Sequence, residues 1–232
     1  MRTRVSIDQV MGNTTEHLAR KGDYVGVLHA DVARPFSALK AQASKVGFDL
    51  KIISGYRSFS RQLGIWNAKA QGERPVLDDE SKEIDISQLS SVETMHAILR
   101  WSALPGTSRH HWGTDFDIYD AAAIDDNYQV QLIPEETVEG GPFGPMHKWL
   151  DEVLPQTDFY RPYEFDRGGT GPERWHLSYA PIADPCAQKL SPKAILSALE
   201  GVEIELRDDI TEHIDTIFQR YIAVTSAQCG GV

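Results

Sequence analysis

Cysteine is scarce in this sequence. Among 232 residues only Cys186 and Cys229 occur, neither adjoins a motif, and nothing in their placement indicates that they pair. Cys229 falls in a Gly-rich end, read as a tail frayed from about residue 226. Positive charge is also short: 23 Lys and Arg against 34 Asp and Glu leave a net charge of -11. That balance argues against nucleic acid and against anionic membrane surfaces as partners. No apolar run is long enough for a transmembrane segment. The opening stretch, Met1 to Ile7, lacks the apolar core of a signal peptide, which points to the cytoplasm. Internal repeats are absent too. A hydrophobic content of 41% remains, enough for a full core in one large domain or one domain with appendages.

Against this background two stretches stand out: Ser108-Arg-His-His-Trp-Gly-Thr-Asp-Phe-Asp117 and Glu173-Arg-Trp-His176. From Thr114 the first alternates, with Thr114, Phe116 and Ile118 on one side and Asp115, Asp117 and Tyr119 on the other. Period two predicts a half-buried strand with Asp117 facing a cleft. Gly113 permits a sharp bend before it, which lets His110 come back over the strand's start. The run Gly168-Gly-Thr-Gly-Pro172 cannot be helix, so Glu173 and His176 do not form a His-Glu-x-x-His helix. Trp175, Leu177 and Tyr179 alternate with His176 and Ser178, a second strand with one polar side. Two imidazoles and one carboxylate, with a spare glutamate, match the donor set of a catalytic zinc: His110, Asp117 and His176 as ligands and Glu173 as general base. His111 is expected to point away, and His17, His29, His96, His147 and His213 receive no role.

A third stretch, Lys51-Ile-Ile-Ser-Gly-Tyr-Arg-Ser58 followed by Gln62, runs from a short apolar strand through a turn into a helix that Ser58 or Ser60 could cap. Arg57, at the end of that strand, is placed to reach a cleft. Its fork of donors suits a carboxylate or a developing oxyanion.

Together the three stretches resemble the signature of the D-alanyl-D-alanine carboxypeptidase and dipeptidase family of zinc peptidases. These are the VanY- and VanX-like enzymes, which share a fold with the hedgehog signalling domain and lysostaphin-type peptidases. Ser-x-His-x-x-Gly-x-x-x-Asp is met by Ser108, His110, Gly113 and Asp117; Glu-x-Trp-His by Glu173, Trp175 and His176; Ser-Gly-Tyr-Arg-Ser with its following Gln by Ser54 to Ser58 and Gln62. The resemblance spans roughly residues 30 to 182. It implies zinc on His110, Asp117 and His176, Glu173 as base, and Arg57 as holder of the substrate and stabiliser of the tetrahedral intermediate. It also implies Ser108 and Gln62 as secondary substrate contacts, and an α+β fold in which a small, mainly antiparallel sheet carries the zinc site between flanking helices. One position departs. The family usually has a small residue where this chain has Asp115. Asp115 shares a strand face with Asp117, so it is a candidate to bind a substrate amine or support the metal, or it pairs with a basic neighbour.

The expected organisation is a helical segment over 1–30, the peptidase domain over 31–182 and a helical extension over 183–232. Short helices are expected at 7–11 and 15–20, and longer ones at 31–46, 61–70, 91–101, 144–154, 192–200 and 208–223. Strands are expected at 48–54, from 114, at 127–133, as an edge at 160–165, and from 175. The acidic stretches 73–90 and 120–141 read as solvated surface, with a place on the cleft rim as the second reading. The function implied is release of D-alanine from peptidoglycan stem peptides or muropeptides. An L,D-carboxypeptidase or dipeptidase, or a phage-lysin-type endopeptidase, would use the same motifs. A zinc-stabilised binding module is the reading from another class; the presence of both Glu173 and Arg57 weighs against it. Peptidoglycan lies outside the inner membrane, so the implied substrate and the missing signal peptide pull towards different compartments.

Overall fold

In a computed structural model that describes residues 5–224, four strands form one antiparallel sheet in the order β1-β2-β4-β3. They are β1 (Leu50–Ser54), β2 (Asp115–Asp120), β3 (Phe159–Tyr160) and β4 (His176–Tyr179). Helices α1 (Ile7–Met11), α2 (Ala33–Lys45), α3 (Phe59–Ala70), α4 (Ser91–Trp101), α5 (Gly144–Val153), α6 (Ala180–Ala187), α7 (Pro192–Leu199) and α8 (Arg207–Ile217) surround it. This is the α+β architecture that the resemblance implied.

The sheet separates two cores. Phe116 and Ile118 of β2 and Leu177 of β4 join Phe36 and Leu39 of α2 and Met146 and Leu150 of α5. Within this core Phe36 meets Phe116 edge-on at 4.9 Å between centroids, the geometry favoured by the ring quadrupole. A second core gathers Trp66 of α3, Met95 and Ile98 of α4, Trp112, and apolar residues of α6, α7 and α8. Strand alternation sets Asp115 and Asp117 of β2, and His176 and Ser178 of β4, on the face away from the α2–α5 core. These four are buried as well, so β2 is covered on both faces rather than half-buried as its pattern suggested. Helices on the second side cover the polar residues.

Local signals account for most of the element ends. Ser6, Ser58, Ser90 and Ser191 each cap a helix with a side-chain acceptor, and Ser90 with Glu93 completes a capping box. Gly113 has φ 66, and a Cβ there would lie 2.8 Å from the His29 nitrogen, so only glycine lets the chain turn into β2 at this spot.

Several expectations need correction. Residues 15–20 form turns and an isolated bridge between Leu18 and His29, with no helix. The strand expected at 127–133 is an irregular loop, because the buried Glu136 carboxylate takes the N–H groups of Gln131 (3.0 Å) and Leu132 (2.8 Å) that a ladder would have used. The edge strand at 160–165 shrinks to Phe159–Tyr160. Helix α6 is not expected from the sequence, because Pro181 and Pro185 mask its pattern. Beyond α8 the chain widens into a π turn over Phe218–Ile222. Cys186 is buried; Cys229 and the tail from about 226 lie outside the described residues. Among the described residues no helix is long and apolar enough to cross a membrane.

Candidate active site

The three motifs meet at the polar face of the sheet. His110 sits on a single 3-10 turn, Arg109–Trp112, directly before β2. Asp117 lies on β2 opposite His176 on β4 in the ladder. The Nε2 of His110 is 3.4 Å from Asp117 Oδ2, and the Nδ1 of His176 is 3.1 Å from Asp117 Oδ1. Candidate ligand atoms of the three residues all lie within 4.8 Å of one another.

The far side of each ring shows which nitrogen is free. His110 Nδ1 is 3.0 Å from the Gly55 carbonyl, to which it donates, leaving the Nε2 lone pair facing Asp117. His176 Nε2 is 3.1 Å from Asp115 Oδ1 and donates to it, leaving Nδ1 towards Asp117. Asp117 Oδ1 and His176 Nδ1 are buried without a hydrogen-bond partner among the described residues; close as they are, they are not aligned to bond each other. Unpartnered buried polar atoms of this kind are costly unless something else engages them. Two imidazole lone pairs and a carboxylate converging in this way fit a divalent cation of the zinc type.

The electrostatics agree. Burial pushes the His110 imidazole down to about 3, so it is neutral. Burial acts the same way on His176, but Asp115 and Asp117 outweigh it and lift that ring to about 9. Burial alone would raise Asp117; His110, His176 and Arg57 outweigh it and keep the carboxylate ionised. The aspartates thus favour positive charge at His176, a proton or a cation. Glu173 stands in the turn before β4, its Oε2 3.5 Å from His176 Nδ1. Burial raises its carboxyl to about 7.

Arg57 follows β1 and reaches the same cavity. Its Nη1 donates to Gln62 Oε1 at 2.9 Å and its Nη2 to Ser54 Oγ at 3.2 Å. His111 points away from the cluster, as expected. Its Nδ1 donates to the Arg57 carbonyl at 2.6 Å, and its Nε2 accepts the Gly106 N–H at 3.1 Å, so it pins the Arg57 loop. Ser108 lines the cavity beside His110.

Two expected substrate contacts do not reach the cavity. Gln62 is fully buried; its amide is consumed by Arg57 and by the Ala103 carbonyl, to which Nε2 donates at 2.7 Å. Asp115 is fully buried behind His176, paired with Arg109 at 2.7 Å. The reading of Asp115 as paired with a basic neighbour is the one that this geometry matches.

Other groups line the cavity without having been singled out. The Tyr163 ring stands edge-on to His176 at 5.1 Å, and Lys69 of α3 faces the same space as Arg57 and Glu173. No motif marks either one. Both acidic excursions reach the rim, through Leu77 and Ser81 from the first and Gln131 to Ile133 from the second. Solvated surface describes only part of them. The cavity, about 530 Å³, is of the size that clefts for small ligands have.

The family model described as VanY, D-alanyl-D-alanine carboxypeptidase, matches residues 26–182, more than half of the chain. An uncharacterized protein of Haemophilus influenzae is 36% identical over 121 residues, covering 51% of this chain and 92% of that protein. A second from the same organism is 38% identical over 104 residues, covering 44% of this chain and 71% of that protein. Among solved structures, a mutant of the vancomycin-resistance D,D-pentapeptidase VanY with Zn(II) is 20% identical, with a TM-score of 0.48, covering 79% of this chain and 83% of that one. The LdcB LD-carboxypeptidase is 20% identical, with a TM-score of 0.49, covering 83% of this chain and 82% of that one.

Proposed function

This chain belongs to the VanY family, described as D-alanyl-D-alanine carboxypeptidase, and from that premise we propose that it is a zinc-dependent carboxypeptidase releasing D-alanine from peptidoglycan stem peptides. The observation that carries the reading is the convergence of His110 Nε2, Asp117 and His176 Nδ1 on one point, with Glu173 beside it and Arg57 across the cavity. Pure structural support for a metal needs neither of the last two.

His110, Asp117 and His176 would hold the ion. Bound there, zinc would supply Lewis acidity, polarising the scissile carbonyl and acidifying a water. Glu173 takes a proton from the attacking water through the carboxylate that faces His176, then delivers it to the leaving D-alanine nitrogen as the C–N bond breaks. The guanidinium of Arg57 donates to the oxygen that gains charge, or to the substrate's terminal carboxylate. Gln62 and Ser54 hold it in place from one side, so its orientation is set before substrate arrives. Ser108 offers a hydroxyl to the same space.

Incubating the zinc-loaded protein with a muropeptide ending in D-Ala-D-Ala, and weighing the products, tests this. The expected result is release of one alanine, with the rate in Glu173→Gln reduced by about 10²- to 10⁴-fold and zinc still bound. Cleavage of an internal bond would replace the carboxypeptidase with an endopeptidase. Cleavage only of a tetrapeptide-ending muropeptide would make it an L,D-carboxypeptidase. No cleavage of either by the loaded protein would leave a zinc-stabilised binding module.

A further inference from the structure

A buried polar network lies behind His176; Asp115 sits off the cavity, and Arg109 borders it. Asp115 and Asp117, two apart on β2, pair in the ladder with Ser178 and His176 of β4. The His176 ring therefore lies between two carboxylates, Nδ1 towards Asp117 and Nε2 towards Asp115, each at 3.1 Å. Asp115 is entirely enclosed. Its Oδ2 accepts from Thr114 Oγ1 at 2.6 Å, and its Oδ1 accepts from Arg109 Nε at 2.7 Å as well as from His176. Arg109 is also buried. It donates from Nη2 to Tyr160 Oη and Ser178 Oγ, both at 2.8 Å, and its guanidinium lies 4.6 Å from the Trp112 ring centroid.

Asp115 thus accepts from three donors, Thr114 Oγ1, Arg109 Nε and His176 Nε2, which fixes its carboxylate against the His176 ring. An ionised Asp115 has no hydrogen to give. Its contact with His176 is made only by an N–H at Nε2, which leaves the Nδ1 lone pair as the one free to bind a cation. His110 has the opposite arrangement, and its far nitrogen meets only a neutral carbonyl, that of Gly55. A carboxylate in that place makes the ring a better electron-pair donor than a carbonyl does.

We propose that Asp115 is a positioning residue for the metal centre: it fixes His176 with its proton on Nε2 and strengthens the hold of Nδ1 on the cation, while Arg109 balances its charge. This rests on the metal site proposed above. The variants Asp115→Asn and the paired Arg109→Met with Asp115→Ala test it, the pair because Asp115→Asn alone strands a buried guanidinium. Zinc affinity is read by competition with a chromophoric chelator, with circular dichroism of the metal-free proteins as the control for folding. Folded variants are expected to bind zinc about 10- to 100-fold more weakly than the parent. A folded variant of unchanged affinity overturns the proposal. Independently of any variant, long-range ¹H–¹⁵N correlation on the zinc-loaded parent should show His176 protonated at Nε2 and metal-bound at Nδ1; the reverse pattern overturns the proposal. A parent that binds no zinc at all fails the metal site itself, a result distinct from loss of affinity in the variants alone.

Discussion

Gln62→Leu should separate substrate contact from positioning at Arg57. The substitution nearly preserves volume at a fully buried position on α3, so the core is not opened. It removes two hydrogen bonds: the one from Arg57 Nη1 at 2.9 Å and the one to the Ala103 carbonyl at 2.7 Å. The stranded carbonyl costs about 1–3 kcal/mol of folding stability. The lost bond involves a charged group, worth about 1.5–3 kcal/mol, and among the described residues the side-chain hydrogen bond left to the guanidinium is that to Ser54 at 3.2 Å, beside the attraction of Asp117 and Glu173. If that bond keeps Arg57 where charge develops, the same energy appears in the barrier as a fall in kcat/KM of about 10- to 150-fold. A fall in kcat would place Arg57 at the oxyanion; a rise in KM alone would place it at the substrate's terminal carboxylate. The assay is steady-state release of D-alanine by the zinc-loaded variant, with zinc content measured alongside. A folded, zinc-replete Gln62→Leu with the parent's kcat/KM would refute the idea that Gln62 sets Arg57.

Two further outcomes follow from the structure. In Glu136→Gln the carboxylate that gathers Gln131, Leu132 and the Tyr128 hydroxyl is lost, so hydrogen exchange at the Gln131 and Leu132 amides should quicken and KM rise while zinc affinity stays; unchanged exchange would show that Glu136 does not hold this part of the rim. In the metal-free protein, burial keeps His110 and His147 near 3 and His111 near 4, all neutral, whereas the unfolded chain takes up protons there near 6.5. Burial raises Glu173 to about 7, which offsets one of these three protons between its ordinary 4.5 and 7. Together these four groups lose stability as pH falls below about 6.5, by ~2–3 kcal/mol per pH unit near pH 5.5, while His176, lifted to about 9, works the other way only above about pH 6.5; a urea midpoint that is flat or rises from pH 6.5 to 5 would contradict this.

The candidate site was legible because its information is local. His110, Gly113 and Asp117 sit within one turn and one strand, and strand alternation places Asp117 away from Phe116 without any knowledge of the fold. Ser58 and Ser90 announce α3 and α4 through side chains that bond within three residues. What escaped depends on distant pairing. Asp115 meets His176 only through the β2–β4 ladder, and Gln62 meets Ala103 only once α3 packs beside the end of α4. Composition cannot tell a buried amide that holds an arginine from an exposed one that meets substrate. Arg109 was within reach: a buried carboxylate at 115 needs a cation, and the neighbour of His110 supplies it. The loop at 127–133 looked like a strand because its residues suit one; Glu136, four residues from Leu132, takes the backbone donors first.

His110, Asp117 and His176 are proposed to hold a catalytic metal beside Glu173. Anomalous diffraction at the zinc edge, from crystals of zinc-loaded protein, tests it most directly. The expected result is one strong peak in contact with His110 Nε2, an Asp117 oxygen and His176 Nδ1, with the Glu173 carboxylate beside it but not required as a ligand. A peak elsewhere, or zinc held through His176 Nε2, would contradict it.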